Sequence, residues 1–181
     1  MQKRLKYKKI ETLKEFALFR DSLISTDEYD QQSEMDRFRS IQEADRYVEN
    51  RLRTFFHDCV LVLSEHEEYV GYAYSYDYRF YDNHCKLCVR IRSDYRADNI
   101  LVSTVILDVA KYLFRYYPLQ KIFSEVCSSN NTMISAYITA GFTEELVLID
   151  YIFQDGKYHN MSILGLGRGE YDSKILSDSK V

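Results

Sequence analysis

The chain has 181 residues, 46% of them apolar and 29% charged, which suffices for one sizeable core but not for two ordinary domains. The formal net charge of -4 provides no general positive field, and this excludes nucleic acid and anionic membranes as partners held by overall charge. We expect a single domain over residues 1–181, with its core at about 57–166 and a flexible tail at 174–181.

The N-terminus is basic, but no apolar segment with the length of a signal peptide or a membrane span follows it. We therefore expect a cytoplasmic protein. Apolar residues then recur at helical spacing over residues 12–24 and about 41–55, which predicts two helices. The acidic segment between them, residues 26–36, is predicted to be a solvated loop or helix start; an acidic rim for a cationic substrate is the alternative.

Three strands are predicted next. An apolar run at residues 59–64 and an alternating run at 69–78 form a hairpin, and residues 84–92 alternate again. The middle strand has one aromatic face and one face of small residues that includes Gly71 and Ala73. Another element is expected to pack closely against the small face.

The four cysteines lie in apolar or alternating runs, where they are expected to be reduced and buried. Cys85 and Cys88 form a C-x-x-C pair within a predicted strand. Because their separation is odd, their side chains point to opposite faces of the sheet. We therefore expect neither a metal site nor a redox pair there.

The second half of the chain alternates helices and strands. A loop at residues 93–99 leads into a long helix that ends near Pro118, and a strand at 122–127 follows. A short helix comes next. Asn130 or Asn131 is its predicted cap at the start, and Gly141 at the end.

Two final strands, residues 146–153 and 157–166, flank Asp155-Gly156, a strong two-residue hairpin signal. The complete order predicts an α/β fold with a mixed, mostly antiparallel central sheet flanked by helices. The turn before the long helix is the place that attracts a ligand. Its backbone N–H groups, the helix dipole and Arg96 together favour phosphate.

The order and spacing resemble the GNAT superfamily of acetyl-CoA-dependent N-acetyltransferases over roughly residues 59–166. Residues 95–101, YRADNIL, stand where the family has its phosphate loop, Arg/Gln-x-x-Gly-x-Gly/Ala. Residues 125–142 have the family's spacing of strand, asparagine, tyrosine and Gly-Phe ending. The terminal hairpin is similar to the branch that contains spermidine and ribosomal-protein N-terminal acetyltransferases.

The resemblance implies a site for acetyl-CoA. Backbone groups at the end of the third predicted central strand would hold the acetyl carbonyl and the pantetheine arm, loop amides would hold the pyrophosphate, and an asparagine would touch the arm. The cofactor-binding residues implied in this way are Val89, Arg90, Ile91, Arg96, Ala97, Asp98, Asn99, Ile100, Leu101, Val102, Asn130 and Tyr137. No metal is implied.

Two residues are implied to be catalytic. Tyr137 would protonate the departing thiolate, a task that suits a phenol, and Glu125 would be the general base that frees the amine lone pair. Each has a structural alternative: Tyr137 shares an apolar stripe and would be a core aromatic, and Glu125 would pair with a neighbour or face water. Asn130 serves equally well as a helix cap.

The chain departs from the family pattern at three positions. Asn99 and Leu101 replace small residues of the phosphate loop, and Lys86 stands where related enzymes often carry a glutamate. Asparagine tolerates a left-handed backbone, so Asn99 preserves the turn. Leu101 is expected to fill room that the family leaves for phosphate.

The resulting hypothesis is an N-acetyltransferase that moves acetyl from acetyl-CoA to a primary amine by direct attack in a ternary complex. The acceptor is a polyamine, a small cationic amine or a peptide N-terminus. The alternative is a GNAT-fold protein that binds acyl-CoA or a protein partner as a sensor or scaffold, without transfer. A donor with a longer acyl chain remains open, as does a homo-oligomer formed through the edge of the terminal hairpin.

Overall fold

The computed structural model of the chain describes residues 4–10, 42–43, 45–46, 49–50, 56–154 and 156–172. Its strands are β1 (Leu5–Lys9), β2 (Phe56–Ser64), β3 (Tyr69–Arg79), β4 (His84–Ile91), β5 (Lys121–Cys127), β6 (Thr143–Gln154) and β7 (Lys157–Gly167). We label its helices α1 (Ser93–Arg96), α2 (Asn99–Tyr116) and α3 (Asn131–Ala140).

The seven strands form one sheet in the order β1-β2-β3-β4-β5-β7-β6. Neighbours are antiparallel except β4 and β5, which run parallel. Their pairing covers three residue pairs and ends at Lys86 opposite Phe123, so the remainder of β4 and β5 is not paired with each other. The predicted fold class, a mixed and mostly antiparallel sheet with helices, is confirmed.

The main core lies between the sheet and the two longer helices. The apolar stripe of α2 faces it, and so do Tyr137 of α3 and the small face of β3, where Ala73 is completely buried. Close packing on β3 also involves Gly71, because a Cβ atom there would lie 2.2 Å from the carbonyl oxygen of Arg90. The close neighbour of Gly71 is thus the adjacent strand β4, and the predicted close packing of another element against the small face stays a prediction.

Side chains cap both longer helices. The Asp98 carboxylate caps α2 at its N-terminus, and the Asn130 side chain accepts from the N–H of Met133 at the start of α3. Gly141 ends α3 at φ 108°, in the left-handed region that favours glycine. At the other end of α2, Arg168 donates to three carbonyl oxygens, those of Phe114, Tyr117 and Leu119.

The first strand was not predicted. β1 is a lysine-rich segment whose pairing with β2 is non-local, and its sequence alternates only weakly. The described residues of the second predicted helix, 42–43, 45–46 and 49–50, are helical. The predicted helix at 12–24, the acidic segment at 26–36 and the tail at 174–181 lie outside the described residues.

All four cysteines are free thiols. Cys85 is completely buried in the main core, whereas Cys88 is half-buried on the other face of β4, as the odd spacing predicted. None of the described helices has both the length and the apolar character needed to cross a membrane.

Candidate active site

The end of the β4–β5 pairing creates a gap between the two strands, which we call the splay. Tyr137 reaches it from α3: the side chain is completely buried, and its hydroxyl lies 3.5 Å from the carbonyl oxygen of Leu87, the first residue of β4 beyond the pairing. Phe142 packs edge-on against the Tyr137 ring, with centroids 5.1 Å apart. The chain reversal at Gly141 thus holds the phenol at the splay.

A polar cluster occupies the sheet beside the splay. Glu125 of β5 is bound through both oxygens: Oε1 lies 2.8 Å from the Lys86 ammonium, and Oε2 accepts from the Tyr76 hydroxyl at 3.0 Å. Lys86 also contacts Asp77 at 3.3 Å. We call Tyr76, Asp77, Lys86 and Glu125 the Glu125 cluster. It joins three adjacent strands, β3, β4 and β5.

Electrostatics keep the donors of this cluster protonated. Burial disfavours the charge of Lys86, but the hydrogen bonds and charges of Glu125 and Asp77 outweigh it and raise the Lys86 pKa. Burial raises the pKa of Tyr76, and the neighbouring Cys88, Glu125 and Tyr137 add to the rise.

The N-terminus of α2 is already occupied by an anion of the chain itself. The Asp98 carboxylate accepts from the N–H of Leu101 at 3.0 Å. Other amides of the turn are also bonded within the chain, since Asp98 donates to Tyr95 O, Asn99 to Ala97 O and Val102 to Asp98 O. Among residues 97–102, four amides therefore have internal acceptors.

The arginines of this turn are engaged as well. Arg96 donates from Nε to the carbonyl oxygen of Ile91 at 2.8 Å, which fixes it against the end of β4. Arg92 forms a bidentate pair with Asp94, at 2.7 and 2.5 Å. Two arginines and two aspartates, Asp98 included, leave the turn without net positive charge.

No protein-family model and no curated protein sequence matches this chain. Solved structures do match. Mutant forms of the spermidine/spermine N-acetyltransferase SpeG from Vibrio cholerae give a TM-score of 0.77 over 94% of this chain and 99% of that chain, at 16% identity. A chimera of the Vibrio cholerae spermidine N-acetyltransferase SpeG with hSSAT gives 0.78, over 92% of this chain and 97% of that chain, also at 16% identity.

A third structure is the Vibrio cholerae spermidine N-acetyltransferase in complex with CoA and spermine, with a TM-score of 0.73 over 92% of this chain and 97% of that chain, at 16% identity. The chain has the GNAT fold. Its splay between β4 and β5 and its α2 N-terminus are the two places of this fold where the sequence resemblance put the acyl donor.

The strand residues of the predicted donor site are Val89, Arg90 and Ile91 at the end of β4. Val89 and Ile91 are at most 2% exposed and belong to the main core, and Arg90 is 8% exposed. Their side chains are thus largely buried, and the carbonyl oxygens of Leu87 and Ile91 on the same strand already accept from Tyr137 and Arg96. Binding of an acyl donor by the backbone of these residues stays a prediction.

The structure corrects one expectation about the phosphate turn. Leu101 does not fill the turn, because its side chain is 5% exposed and packs in the main core. Helix geometry thus turns the Leu101 side chain towards the core. The obstacle at this position is the carboxylate of Asp98, which lies where the helix dipole attracts an anion.

The two asparagines of the predicted site have structural partners. Asn99 donates from Nδ2 to the Thr139 hydroxyl at 3.2 Å and so ties α2 to α3. Asn130 caps α3, which is the alternative considered from the sequence, and its contact with a donor stays a prediction. Ile100, at 74% exposure, projects from the turn into solvent.

Sequence reasoning missed Tyr76 and Asp77. Both lie in the alternating run of β3, and nothing in that run distinguishes Tyr76 from the tyrosines at 72, 74 and 78. The antiparallel register, which places Tyr76 opposite Lys86, brings it to Glu125. Pairing across β3, β4 and β5 would have revealed the cluster, but alternation fixes the face of a residue and not its partner.

Proposed function

We propose that the protein is an acetyl-CoA-dependent N-acetyltransferase that transfers the acetyl group to a primary amine by direct attack in a ternary complex. The observation that carries this proposal is the splay, with the buried Tyr137 hydroxyl at its edge and the Glu125 cluster beside it. The matched GNAT-fold structures are spermidine N-acetyltransferases, one of them in complex with CoA and spermine, which supports both the reaction and the donor.

In this proposal Tyr137 is the general acid. Its phenol is buried, is positioned by Phe142 and lies beside the Leu87 carbonyl oxygen at the splay. A thiolate that leaves a thioester develops negative charge on sulfur. A phenol at that point stabilises the charge by a hydrogen bond and then by proton transfer.

Glu125 is the proposed base. An ammonium has no lone pair for attack on a thioester, so a carboxylate near the splay must take a proton from the acceptor. Both oxygens of Glu125 have donors in the structure, Lys86 and Tyr76. An incoming ammonium therefore replaces the Lys86 contact at Oε1, while the Tyr76 bond at Oε2 keeps the carboxylate oriented.

The donor residues proposed are those of the resemblance: backbone groups of residues 89–91 for the acetyl and pantetheine end, and the turn of residues 96–102 for the pyrophosphate. Residues 89–91 lie on β4 beside the splay. The second set fits only when the Asp98 carboxylate leaves the N–H of Leu101, because two anions cannot share one helix N-terminus. We propose that donor binding displaces Asp98.

We favour a polyamine or another small cationic amine as acceptor, followed by a peptide N-terminus. A cytoplasmic location and assembly into a homo-oligomer are further parts of the proposal. β6 supports the assembly, because it is an outer strand of the sheet with exposed apolar side chains such as Ile149 (69%) and Leu146 (53%).

One alternative has a specific observation in its favour. A protein of this fold that binds a partner or an acyl-CoA without transfer would keep Asp98 on the α2 N-terminus and Lys86 on Glu125, as found here. Calorimetric titration with acetyl-CoA, together with release of free thiol over a panel of amines, separates the two. We expect saturable heat and amine-dependent thiol release; saturable heat without release identifies the alternative, and no heat removes both.

A further inference from the structure

A cavity lies on the α2 face of the sheet, on the β1 side of β4. It has a volume of about 290 Å³ and is enclosed by β1, β2, β3 and the C-terminal half of α2. That volume is about ten times the share of one water molecule in the liquid, enough for a small organic molecule. Asp108, the first α2 residue to line it, lies nine residues after the start of the helix, or about 13 Å along its axis.

The walls of this cavity are mainly hydrocarbon. Val60, Val109 and Leu113 line it, and Ala73 forms part of its floor. All but Val60 are at most 7% exposed in the folded chain. An apolar or aromatic body is therefore the part of a ligand that this space accepts.

Aromatic rings and charges of one dominant sign complete the lining. Tyr7 and Tyr112 are among its lining residues, and the charged residues are Asp58, Asp108 and Lys9. Two carboxylates against one ammonium give the cavity a net negative charge. Asp108 lies near the surface, with its side chain 37% exposed, and is bound by the Tyr7 hydroxyl at 2.8 Å and by Lys111 at 3.9 Å.

Asp58 is the buried charge of the cavity, with a side chain 5% exposed. Its Oδ2 accepts a short hydrogen bond from Tyr117, and its backbone N–H donates to Ser75. The two partners of Oδ1 lie farther away than in a close hydrogen bond. The Tyr112 hydroxyl is at 3.5 Å and the Lys9 ammonium is at 3.6 Å. A well-placed charged donor approaches a carboxylate oxygen to about 2.8 Å, so Oδ1 has capacity for a closer one.

Lys9 is the group that such a donor would replace. Its side chain is 51% exposed on the edge strand β1, so it can withdraw into water at little cost. The phenols cannot take over its role as a cation. Burial and the nearby Asp58 raise the pKa of both Tyr112 and Tyr117, which therefore stay neutral donors.

We propose that this cavity is a binding site for a small organic ammonium with an apolar or aromatic body, whose charged nitrogen binds Oδ1 of Asp58 in place of Lys9. The body lies between the valine and leucine side chains and the tyrosine rings, where a cation also gains from the ring faces. None of the residues that line it belongs to those proposed for donor binding or transfer.

Benzylamine and benzyl alcohol are the matched probes, since they have the same ring and the same number of non-hydrogen atoms but differ in charge. Titration of the full chain, followed by NMR, is expected to show saturable benzylamine binding with intermolecular contacts from its ring to the methyl groups of Val60, Val109 and Leu113. Benzyl alcohol is expected to bind at the same place at least tenfold more weakly. Equal affinity for the two probes, or contacts confined to other methyl groups, overturns the proposal.

Two variants test the charge assignment. Asp58→Asn is expected to lower benzylamine affinity at least tenfold and to leave benzyl alcohol affinity unchanged, a pattern that a misfolded chain does not give. Lys9→Met removes the competing cation from an exposed position and is expected to tighten benzylamine binding about threefold or more. Lys8→Met removes the same charge from the same strand outside the cavity lining and is the control. Weaker or unchanged binding in Lys9→Met contradicts the role given to Oδ1.

Discussion

The two ends of the proposed donor site differ in how well this chain suits them. At the splay, the Tyr137 hydroxyl lies 3.5 Å from the Leu87 carbonyl oxygen, and Glu125 on β5 is held by Lys86 and Tyr76 beside the end of the β4–β5 pairing. At the N-terminus of α2, the carboxylate of Asp98 occupies the place proposed for the pyrophosphate, and both arginines of the turn are engaged within the chain. In the proposed reaction, turnover therefore depends on the splay and affinity for the acyl donor depends on the α2 N-terminus. Separate variants can test each of them.

The largest expected effect is a loss of turnover caused by a substitution at the splay. Tyr137→Phe keeps the ring that packs on Phe142 and removes the hydroxyl, so we expect kcat to fall roughly 100- to 1,000-fold while CoA affinity changes little. Initial rates of thiol release and calorimetry with CoA measure the two quantities. Tyr116→Phe, at a surface position that is 62% exposed, is the control. Unchanged turnover in Tyr137→Phe would remove this residue from the mechanism.

Glu125→Gln is expected to lower kcat roughly 10- to 100-fold at neutral pH, since the acceptor then loses its proton only to solvent. The loss should shrink as the pH rises towards the pKa of the acceptor amine, where free amine becomes abundant. Glu145→Gln is the matched control, because Glu145 also pairs with a lysine, Lys121, at 2.7 Å but lies outside the Glu125 cluster. A loss that is equal at every pH would contradict a role in proton removal.

At the N-terminus of α2 we expect a substitution to increase CoA affinity. Asp98→Asn keeps a neutral cap on α2 and removes the competing charge, so CoA affinity should rise about tenfold, whereas affinity for pantetheine, which has no phosphate, should not change. Calorimetry with the two ligands measures this. Asp94→Asn removes an equal charge four residues earlier, from a carboxylate paired with Arg92. If both variants gain equally, general charge and not the cap controls affinity.

The smallest expected effect on affinity is at Leu101. Leu101→Ala creates the small residue of the family loop, but the leucine side chain lies in the core, so we expect no gain in CoA affinity and a loss of about 3 kcal/mol in the free energy of unfolding. Denaturant titration and calorimetry test the two parts. A tenfold gain in affinity would restore the steric explanation suggested by the sequence and weaken the explanation based on Asp98.

Much of the fold follows from local patterns. Alternation, one proline, Gly141 and the Asp155-Gly156 turn located the central strands, the two longer helices and the final hairpin close to their observed bounds. β1 was not predicted because an edge strand with four exposed residues has little hydrophobic pattern of its own. It forms only by pairing with β2. The predicted donor and catalytic residues stay predictions.

The sequence by itself determined the order of elements, the position of the turn before α2 and the residue types at the splay, because these depend on periodicity and spacing within short segments. The tertiary structure alone decided which groups meet. The register of β3 on β4 brought Tyr76 and Lys86 to Glu125, and the rotation of α2 sent Leu101 into the core and left Asp98 on the helix dipole. Such contacts join residues distant in sequence or depend on the direction of a single side chain, and local patterns specify neither.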